Sequence, residues 1–173
     1  MSDSFSCQIP RLRTERLLLR EPRPEDFPAF SADASDPVSR EHTGGALDTR
    51  ATWERFLRGA GSWVIWGMGG WTVELLGTGP IGTVGVFRRE GSPQIEMGWV
   101  IHRAHTGQGY AVEAARAALN FAFEERGASR VIAQINKENM ASIAVAKKLG
   151  MICEGEVDFY GEIIWLFAAD RVK

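Results

Sequence analysis

Cysteine and histidine are scarce in this sequence. Its 173 residues include two cysteines, Cys7 and Cys153, which stand near opposite ends of the chain. Two distant cysteines provide neither a disulfide framework nor the paired spacing of a zinc site. His102 and His105 lie three residues apart, but no further cysteine or histidine follows at ligand spacing. We therefore predict that the chain binds no metal ion.

The sequence also lacks a strong excess of charge and any long apolar run. Its formal net charge is −2, whereas a broad nucleic-acid surface needs a marked basic excess. No apolar run approaches the roughly 20 residues that cross a bilayer. The N-terminal residues MSDSFSCQIPRLRTER contain no apolar signal-peptide core. These absences predict a cytoplasmic protein without nucleic-acid or membrane partners, and the length predicts a single domain over residues 1–173.

Hydrophobic periodicity, together with turn and cap residues, divides the chain into alternating helices and strands. The pattern predicts strands at Glu15–Glu21, Trp71–Leu76, Pro80–Phe87, Gln94–His102, Val131–Ile135, Cys153–Phe159 and Ile163–Ala168. It predicts helices at Pro24–Ala34, Thr49–Ala60, Gly109–Arg126 and Asn139–Leu149.

The order of these elements, β-α-α-β-β-β-α-β-α-β-β, indicates a mixed α/β (α+β) domain around one sheet. Glycine-rich turns at Gly77–Gly79 and Glu90–Pro93 join three consecutive strands, which predicts antiparallel hairpins. The segment from Gln94 to Ile135 is a strand-helix-strand unit, so its strands should be parallel and its connection right-handed. We expect a central, mostly antiparallel sheet with helices on both faces.

A glycine-rich stretch between the strand Gln94–His102 and the following helix is the most informative motif. Backbone N–H groups at a helix N-terminus bind anions, and the glycines of Thr106-Gly-Gln-Gly109 would let a pyrophosphate approach closely. The stretch is neither a dinucleotide fingerprint, because Val112 replaces the third glycine, nor a P-loop, because no Gly-Lys-Ser/Thr follows. The alternative interpretation is an ordinary turn in which Thr106 caps the helix.

Four segments together resemble GNAT-superfamily N-acetyltransferases. The segment Gly107-Gln-Gly-Tyr-Ala-Val-Glu-Ala-Ala115 is similar to the coenzyme A pyrophosphate loop of that superfamily, most of all in its ribosomal-protein N-terminal acetyltransferase branch (the RimJ/RimL type). The resemblance covers most of the chain. The other segments are Thr14-Glu-Arg-Leu-Leu-Leu-Arg20, Ile95-Glu-Met-Gly-Trp99, and Asn139-Met-Ala-Ser142 with Lys148-Leu-Gly150.

The resemblance implies a GNAT fold whose one parallel strand pair splays apart, and an enzyme that transfers an acetyl group from acetyl-coenzyme A to a primary amine. Backbone amides of the loop should hold the pyrophosphate, and the main chain of Trp99–Ile101 should pair with the pantetheine arm at the splay. Asn139 and Ser142 should face the coenzyme near the thioester, although Asn139 is equally suited to cap its helix. The implied coenzyme-binding residues are Trp99, Val100, Ile101, Thr106, Gly107, Gln108, Gly109, Tyr110, Ala111, Asn139 and Ser142.

Two positions depart from the family pattern. Thr106 stands where the RimJ/RimL branch usually has tryptophan before the first loop glycine, and Ala146 stands where many relatives have a tyrosine acid. The proton for the leaving thiolate therefore has three candidate origins: the hydroxyl of Ser142, a bound water, or no acid at all.

Glu96 is the candidate general base. It lies in an apolar strand between Ile95 and Met97, where burial would raise the pKa of a carboxylate toward a useful range. The alternative is a structural carboxylate that bonds the backbone or an arginine. His102 and His105 are second-choice bases, with solvated loop positions as their alternative role.

The acceptor pocket is the least determined part of the prediction. We expect Trp66, Met68 and Tyr160 to line it, and we expect the acceptor to be a protein N-terminus or a small-molecule amine. The sequence is compatible with a homodimer. A second class of function also stays open, namely a coenzyme-binding sensor or interaction module without catalysis.

Overall fold

Eight strands form one sheet within residues 6–171, the part of the chain that the computed structural model describes. Their order across the sheet is β1-β2-β3-β4-β5-β6-β8-β7. The strands are β1 (Leu12–Arg13), β2 (Leu17–Arg20), β3 (Gly70–Leu75), β4 (Gly79–Arg88), β5 (Ile95–Ile101), β6 (Arg130–Ile135), β7 (Ile152–Phe159) and β8 (Glu162–Asp170). The helices are α1 (Phe27–Ala34), α2 (Pro37–Arg40), α3 (Thr49–Trp66), α4 (Tyr110–Glu124) and α5 (Met140–Lys148).

The pair β5–β6 is parallel and its neighbours are antiparallel, which confirms the predicted sheet. β4 and β5 pair along their whole shared length, from Gly82 opposite Ile101 to Arg88 opposite Ile95. β5 and β6, in contrast, pair only at Ile95–Val131 and Glu96–Ile132. Beyond these positions the two strands separate, although both continue for several residues.

Helices cover both faces of the sheet, as predicted. On one face, α4 packs against β4 and β5 through alanines that are fully buried. Their small side chains let the helix approach the sheet closely. These alanines are Ala114, Ala115, Ala118 and Ala122. On the opposite face, Thr72, Thr83 and His102 border a small cavity together with Phe30 of α1 and Phe56 of α3.

Helix α3 is longer than the sequence pattern predicts. The predicted helix ended at Ala60, but the helix continues to Trp66 and is capped by Gly67, which adopts a left-handed conformation with φ 62°. Trp63, in the added turn, packs edge-on against Trp71 and Phe121, with ring centroids 4.6 and 5.9 Å apart. This aromatic packing outweighs the low helix propensity of the two glycines in α3, Gly59 and Gly61.

Two short elements were absent from the sequence prediction. β1 has only two residues, Leu12 and Arg13, and α2 spans a single turn, so neither is long enough to show periodicity. The start of α2 does carry local signals. Asp36 caps it by accepting a hydrogen bond from the Val38 amide at 3.0 Å, and proline follows the cap.

A buried ion network fixes α1 against the sheet. The Arg20 guanidinium donates two hydrogen bonds of 2.8 Å to Asp26 and one of 2.5 Å to Glu74. Asp26 also accepts from the Thr72 hydroxyl at 2.8 Å. Burial alone would raise the pKa of Asp26, but the bonds from Arg20, the Arg23 amide and Thr72 bring it below its ordinary value.

The close contact between α4 and the sheet can be tested by overpacking. We expect Ala118→Leu to lower the free energy of unfolding by about 1–3 kcal/mol, because the larger side chain has no space beside the sheet. Urea denaturation measures this change. Asn120→Leu, at an exposed position of the same helix, is the control and should leave stability nearly unchanged. Equal effects of the two substitutions would contradict the tight packing.

Candidate active site

The separation of β5 from β6 opens a slot in the middle of the sheet. After Glu96, the backbone groups of β5 that point away from β4 have no strand partner within the described residues. Two buried polar atoms beside the slot, Trp99 Nε1 and Gln134 Oε1, also lack a hydrogen-bond partner there. Unpaired polar groups of this kind are costly unless a ligand or water completes them.

The strand β5 leads into the glycine-rich loop. Gly107 and Gly109 both have left-handed backbone conformations, with φ 77° and 85°, and the space beside the Gly107 Cα is open. Gly109 is the N-cap residue of α4. Because glycine has no side chain, none accepts a hydrogen bond from the amides of the first helical turn. Thr106 does not cap the helix, as its hydroxyl donates to the Arg103 carbonyl at 3.0 Å. The prediction that Thr106 caps α4 was therefore wrong.

Exposed amides at the start of α4 create an anion site. No described residue accepts hydrogen bonds from the amides between Gly107 and Ala111. The helix dipole adds a partial positive charge at the same point. Such amides can bind an anion, and the predicted role of the loop in holding a diphosphate stays a prediction.

Arg16 holds this loop in place. Its guanidinium donates to the Gln108 carbonyl at 3.1 Å and to Glu113 at 2.7 Å, and it lies 4.6 Å from the centre of the Tyr110 ring. The Thr14 hydroxyl and the Arg16 amide donate to the other Glu113 oxygen, at 2.6 and 2.9 Å. Burial alone would raise the pKa of Glu113, but these bonds lower it. Arg16, just before β2, and Glu113, in the first turn of α4, thus brace the loop together.

Helix α5 begins where β6 ends, on the far side of the slot. Asn139 caps it, because its side-chain oxygen accepts a hydrogen bond from the Ser142 amide at 3.0 Å. This is the alternative role that the sequence allowed for Asn139. Ser142 is half-buried in the first turn, whereas Ala146 is fully buried and supplies no acid.

Glu96 occupies the last paired position before the slot and is 3% exposed. Both of its oxygens accept hydrogen bonds from the Arg89 guanidinium, at 2.8 to 3.2 Å. The arginine partner that the sequence left open as an alternative is therefore present, and the role of Glu96 as a base stays a prediction. The carboxylate also raises the pKa of Arg89 above its ordinary value.

The turn between β7 and β8 reaches the same point. Arg89 lies 4.6 Å from the ring centre of Phe159 and 5.7 Å from that of Tyr160. Arg89 and Arg16 were both missed at the sequence level. Arg89 depends on the hairpin register, which the sequence does not specify: Arg88 lies opposite Ile95, so the next residue can reach Glu96.

The predicted acceptor-lining residues occupy three different environments. Trp66 is exposed at the end of α3, 5.9 Å from the Arg88 guanidinium, and Tyr160 is 80% exposed at the hairpin tip. Met68 is 4% exposed and belongs to the hydrophobic core. The prediction that Met68 lines a pocket was wrong, because core side chains cover it.

His102 follows β5 on the face that carries Glu96. Burial lowers its pKa, while the charges of Asp33, His105 and Arg40 act on the same imidazole. Burial thus favours the neutral form of the ring. The cavity beside it has a volume of about 10 Å³, which admits no more than a water-sized group.

Residues 6–171 contain no cluster of three or more histidine, cysteine, aspartate or glutamate side chains able to hold a metal ion. Cys7 and Cys153 are both free and exposed. Among the helices of this range, none has the length and hydropathy required to span a membrane.

Comparison with known families matches this arrangement. Residues 16–152 fit the model of a family described as an acetyltransferase (GNAT) domain. The chain belongs to the GNAT acetyltransferase family. It is 35% identical over 153 residues to the Bacillus subtilis (strain 168) protein YkkB, covering 82% of this chain and 84% of that protein.

Solved structures share the fold over almost the whole length of this chain. An acetyltransferase from Agrobacterium tumefaciens str. C58 matches with a TM-score of 0.88 and 30% identity, covering 99% of this chain and 100% of that one. A RimL ribosomal L7/L12 acetyltransferase in complex with coenzyme A matches with a TM-score of 0.73, covering 91% of this chain and 95% of that one. At 14% identity, the second likeness concerns the fold alone.

Family membership makes the chain an acetyl-CoA-dependent N-acetyltransferase, as the sequence indicated. The local structure fits such a coenzyme. The slot beside Trp99–Ile101 offers open backbone groups, and the loop at Gly107–Ala111 offers free amides for a diphosphate.

The glycine loop can be tested by adding one methyl group. We expect Gly109→Ala to weaken acetyl-CoA binding by about tenfold or more, because an L-residue resists φ 85° and its methyl group would lie 3.4 Å from the Arg16 guanidinium. Titration calorimetry measures the dissociation constant. Gly127→Ala is the matched control, since Gly127 also has positive φ, 63°, but follows the far end of α4. Equal affinity of both variants for acetyl-CoA would argue against a diphosphate at the loop.

Proposed function

We propose that the chain, acting as one domain, transfers an acetyl group from acetyl-CoA to a primary amine by direct attack in a ternary complex. The acceptor is a protein N-terminal α-amine or a small-molecule amine. The observation that supports the proposal is that two sites for a ligand, an open strand edge and a set of free amides, follow each other directly along the chain. The open edge of β5 after Glu96 leads within a few residues into the amides of Gly107–Ala111. One extended ligand with a diphosphate would satisfy both.

In this proposal the coenzyme lies along β5 and ends at α4. The main chain of Trp99, Val100 and Ile101 pairs with the pantetheine arm. Thr106, Gly107, Gln108, Gly109, Tyr110 and Ala111 surround the diphosphate. Asn139 and Ser142 border the thioester from α5. When bound, acetyl-CoA supplies the activated acetyl group.

An α-amine suits this site better than a lysine side chain on energetic grounds. A lysine amine with a pKa of about 10.4 requires roughly 4.6 kcal/mol for deprotonation at pH 7, whereas an α-amine at 7.7–8.0 requires about 1–1.4 kcal/mol. The weaker requirement can be met by a modest base. Glu96, already engaged by Arg89, is such a base, acting directly or through a water.

The hydroxyl of Ser142 is the proposed proton donor for the leaving thiolate. It lies in the first turn of α5, and the tyrosine position of the family is occupied by buried Ala146. His102 is the second-choice base because its neutral imidazole lies on the Glu96 face of β5.

Relatives favour amine acceptors of different sizes. Structural neighbours include the aminoglycoside acetyltransferase AAC(6')-Ib and a ribosomal-protein acetyltransferase. These names support an amine acceptor without choosing between a small molecule and a protein N-terminus. A cytoplasmic location and a homodimeric assembly complete the proposal.

The decisive experiment separates binding from turnover. Titration calorimetry with acetyl-CoA comes first, followed by thiol release across a panel of α-amines, polyamines and aminoglycosides. We expect micromolar binding and acceptor-dependent thiol release. Binding without acceptor-dependent release from any amine would favour the alternative, a coenzyme-binding module, for which the buried Ala146 is the supporting observation. Lack of binding would refute both.

The role of Glu96 has a distinct pH signature. We expect Glu96→Gln to lower kcat by about a hundredfold near pH 6 and much less near pH 9, where the free amine needs no base. The rate is measured as thiol release at saturating acceptor from pH 6 to 9. A loss of the same size at every pH would show that Glu96 acts only as the partner of Arg89. Thermal unfolding of the variant checks that its fold is retained.

A further inference from the structure

Helices α2 and α3 carry neighbouring arginines, Arg40 and Arg55, that outnumber the carboxylates paired with them. Arg40 is 2% exposed, and its guanidinium donates to Asp33, also buried, at 2.6 Å. Arg55 on α3 is half-buried, and its pKa is lowered by burial and then by the neighbouring charges of Arg40 and Arg58. No described residue forms an ion pair with Arg55. One carboxylate thus faces two sequestered cations.

The hydrogen bonds of Arg40 are also incomplete. Its Nε atom is buried and has no partner within residues 6–171. Unpaired charged donors of this kind are strongly unfavourable in a protein interior. A planar guanidinium binds carboxylate or phosphate oxygens in preference to other groups, because its donors form a fork of matching geometry. The cluster of Asp33, Arg40 and Arg55 therefore lacks an anion.

The cluster lies on the acceptor side of the sheet. His102, the last side chain on the Glu96 face of β5, is close enough for the charges of Asp33 and Arg40 to act on it. The glycine loop, in contrast, leads into α4, which covers the opposite face. An anion at Arg40 and Arg55 would thus lie on the face from which the amine approaches, away from the diphosphate amides.

We propose that Arg40 and Arg55 bind a carboxylate or phosphate group of the acceptor, so that the substrate is an amine that also carries an acidic group. This inference rests on the proposed acetyl transfer and narrows its substrate class. The anion completes the hydrogen bonding of Arg40 and neutralises Arg55, and the distance between the cluster and the slot selects the separation of amine and acid.

Matched acceptors test the acidic group. The pairs are 4-aminobutyrate with butylamine, 6-aminohexanoate with hexylamine, and C-terminally amidated tripeptides that differ only by glutamate versus glutamine. Thiol release should show a kcat/KM at least about tenfold higher for the acidic member of one pair or more. Equal rates within every pair, from an enzyme that does acetylate amines, would overturn the inference and leave the proposed function intact.

Arg55→Gln tests the cluster while leaving the Asp33–Arg40 ion pair in place. We expect it to raise KM for the acidic acceptor about tenfold or more, without changing kcat/KM for the neutral amine or KM for acetyl-CoA. Arg50→Gln, at an exposed position of the same helix where the arginine pairs only with Glu54, is the control and should change none of these values. An increase confined to KM for acetyl-CoA would assign the cluster to a coenzyme phosphate and would contradict the inference.

A binding measurement remains informative if no amine is acetylated. Inorganic phosphate titrated into the acetyl-CoA complex should bind equally to the wild-type chain and to Arg50→Gln, and at least about tenfold more weakly to Arg55→Gln. Equal phosphate affinity for the three proteins would refute the anion site, whatever the outcome for catalysis.

Discussion

The early separation of β5 from β6 is the constraint on which the rest of the site depends. Parallel strands normally continue to pair, but here the ladder stops at Glu96 and Ile132 while both strands continue. The interruption leaves main-chain donors and acceptors inside the sheet without partners, which only a ligand or water can satisfy. In the proposed function, this gap in the sheet is the template along which the extended coenzyme lies.

Two kinds of positive charge act on the opposite sides of this gap. On the α4 side, the charge comes from backbone amides and a helix dipole, supported by one partly exposed arginine, Arg16. On the α1–α3 side, it comes from the buried guanidinium of Arg40 and the half-buried Arg55. Main-chain amides suit a diphosphate of constant geometry, whereas side chains can be exchanged in evolution without altering the fold. The division fits a family with one donor and many acceptors.

Sequence reasoning succeeded where a feature is local and failed where it depends on distant contacts. The loop Gly107–Ala111 and the strand-helix-strand unit were predictable because glycine placement and strand order act within a short stretch. The Arg89–Glu96 bond and the burial of Met68 were not, since they depend on a hairpin register and on the packing of α3. The extra turn of α3 likewise formed because Trp63 meets aromatic rings from other elements, a tertiary effect that propensity does not contain.

The bracing of the glycine loop by the N-terminal strands links coenzyme recognition to chain folding. The bonds from Thr14 and Arg16 to Glu113 join positions 99 and 97 residues apart. Contacts of such high sequence separation form late, after the intervening hairpins have docked. A nascent or partly unfolded chain therefore presents the glycines without the brace, and acetyl-CoA selects the fully assembled molecule. Cellular coenzyme levels then add to the stability of this enzyme by mass action.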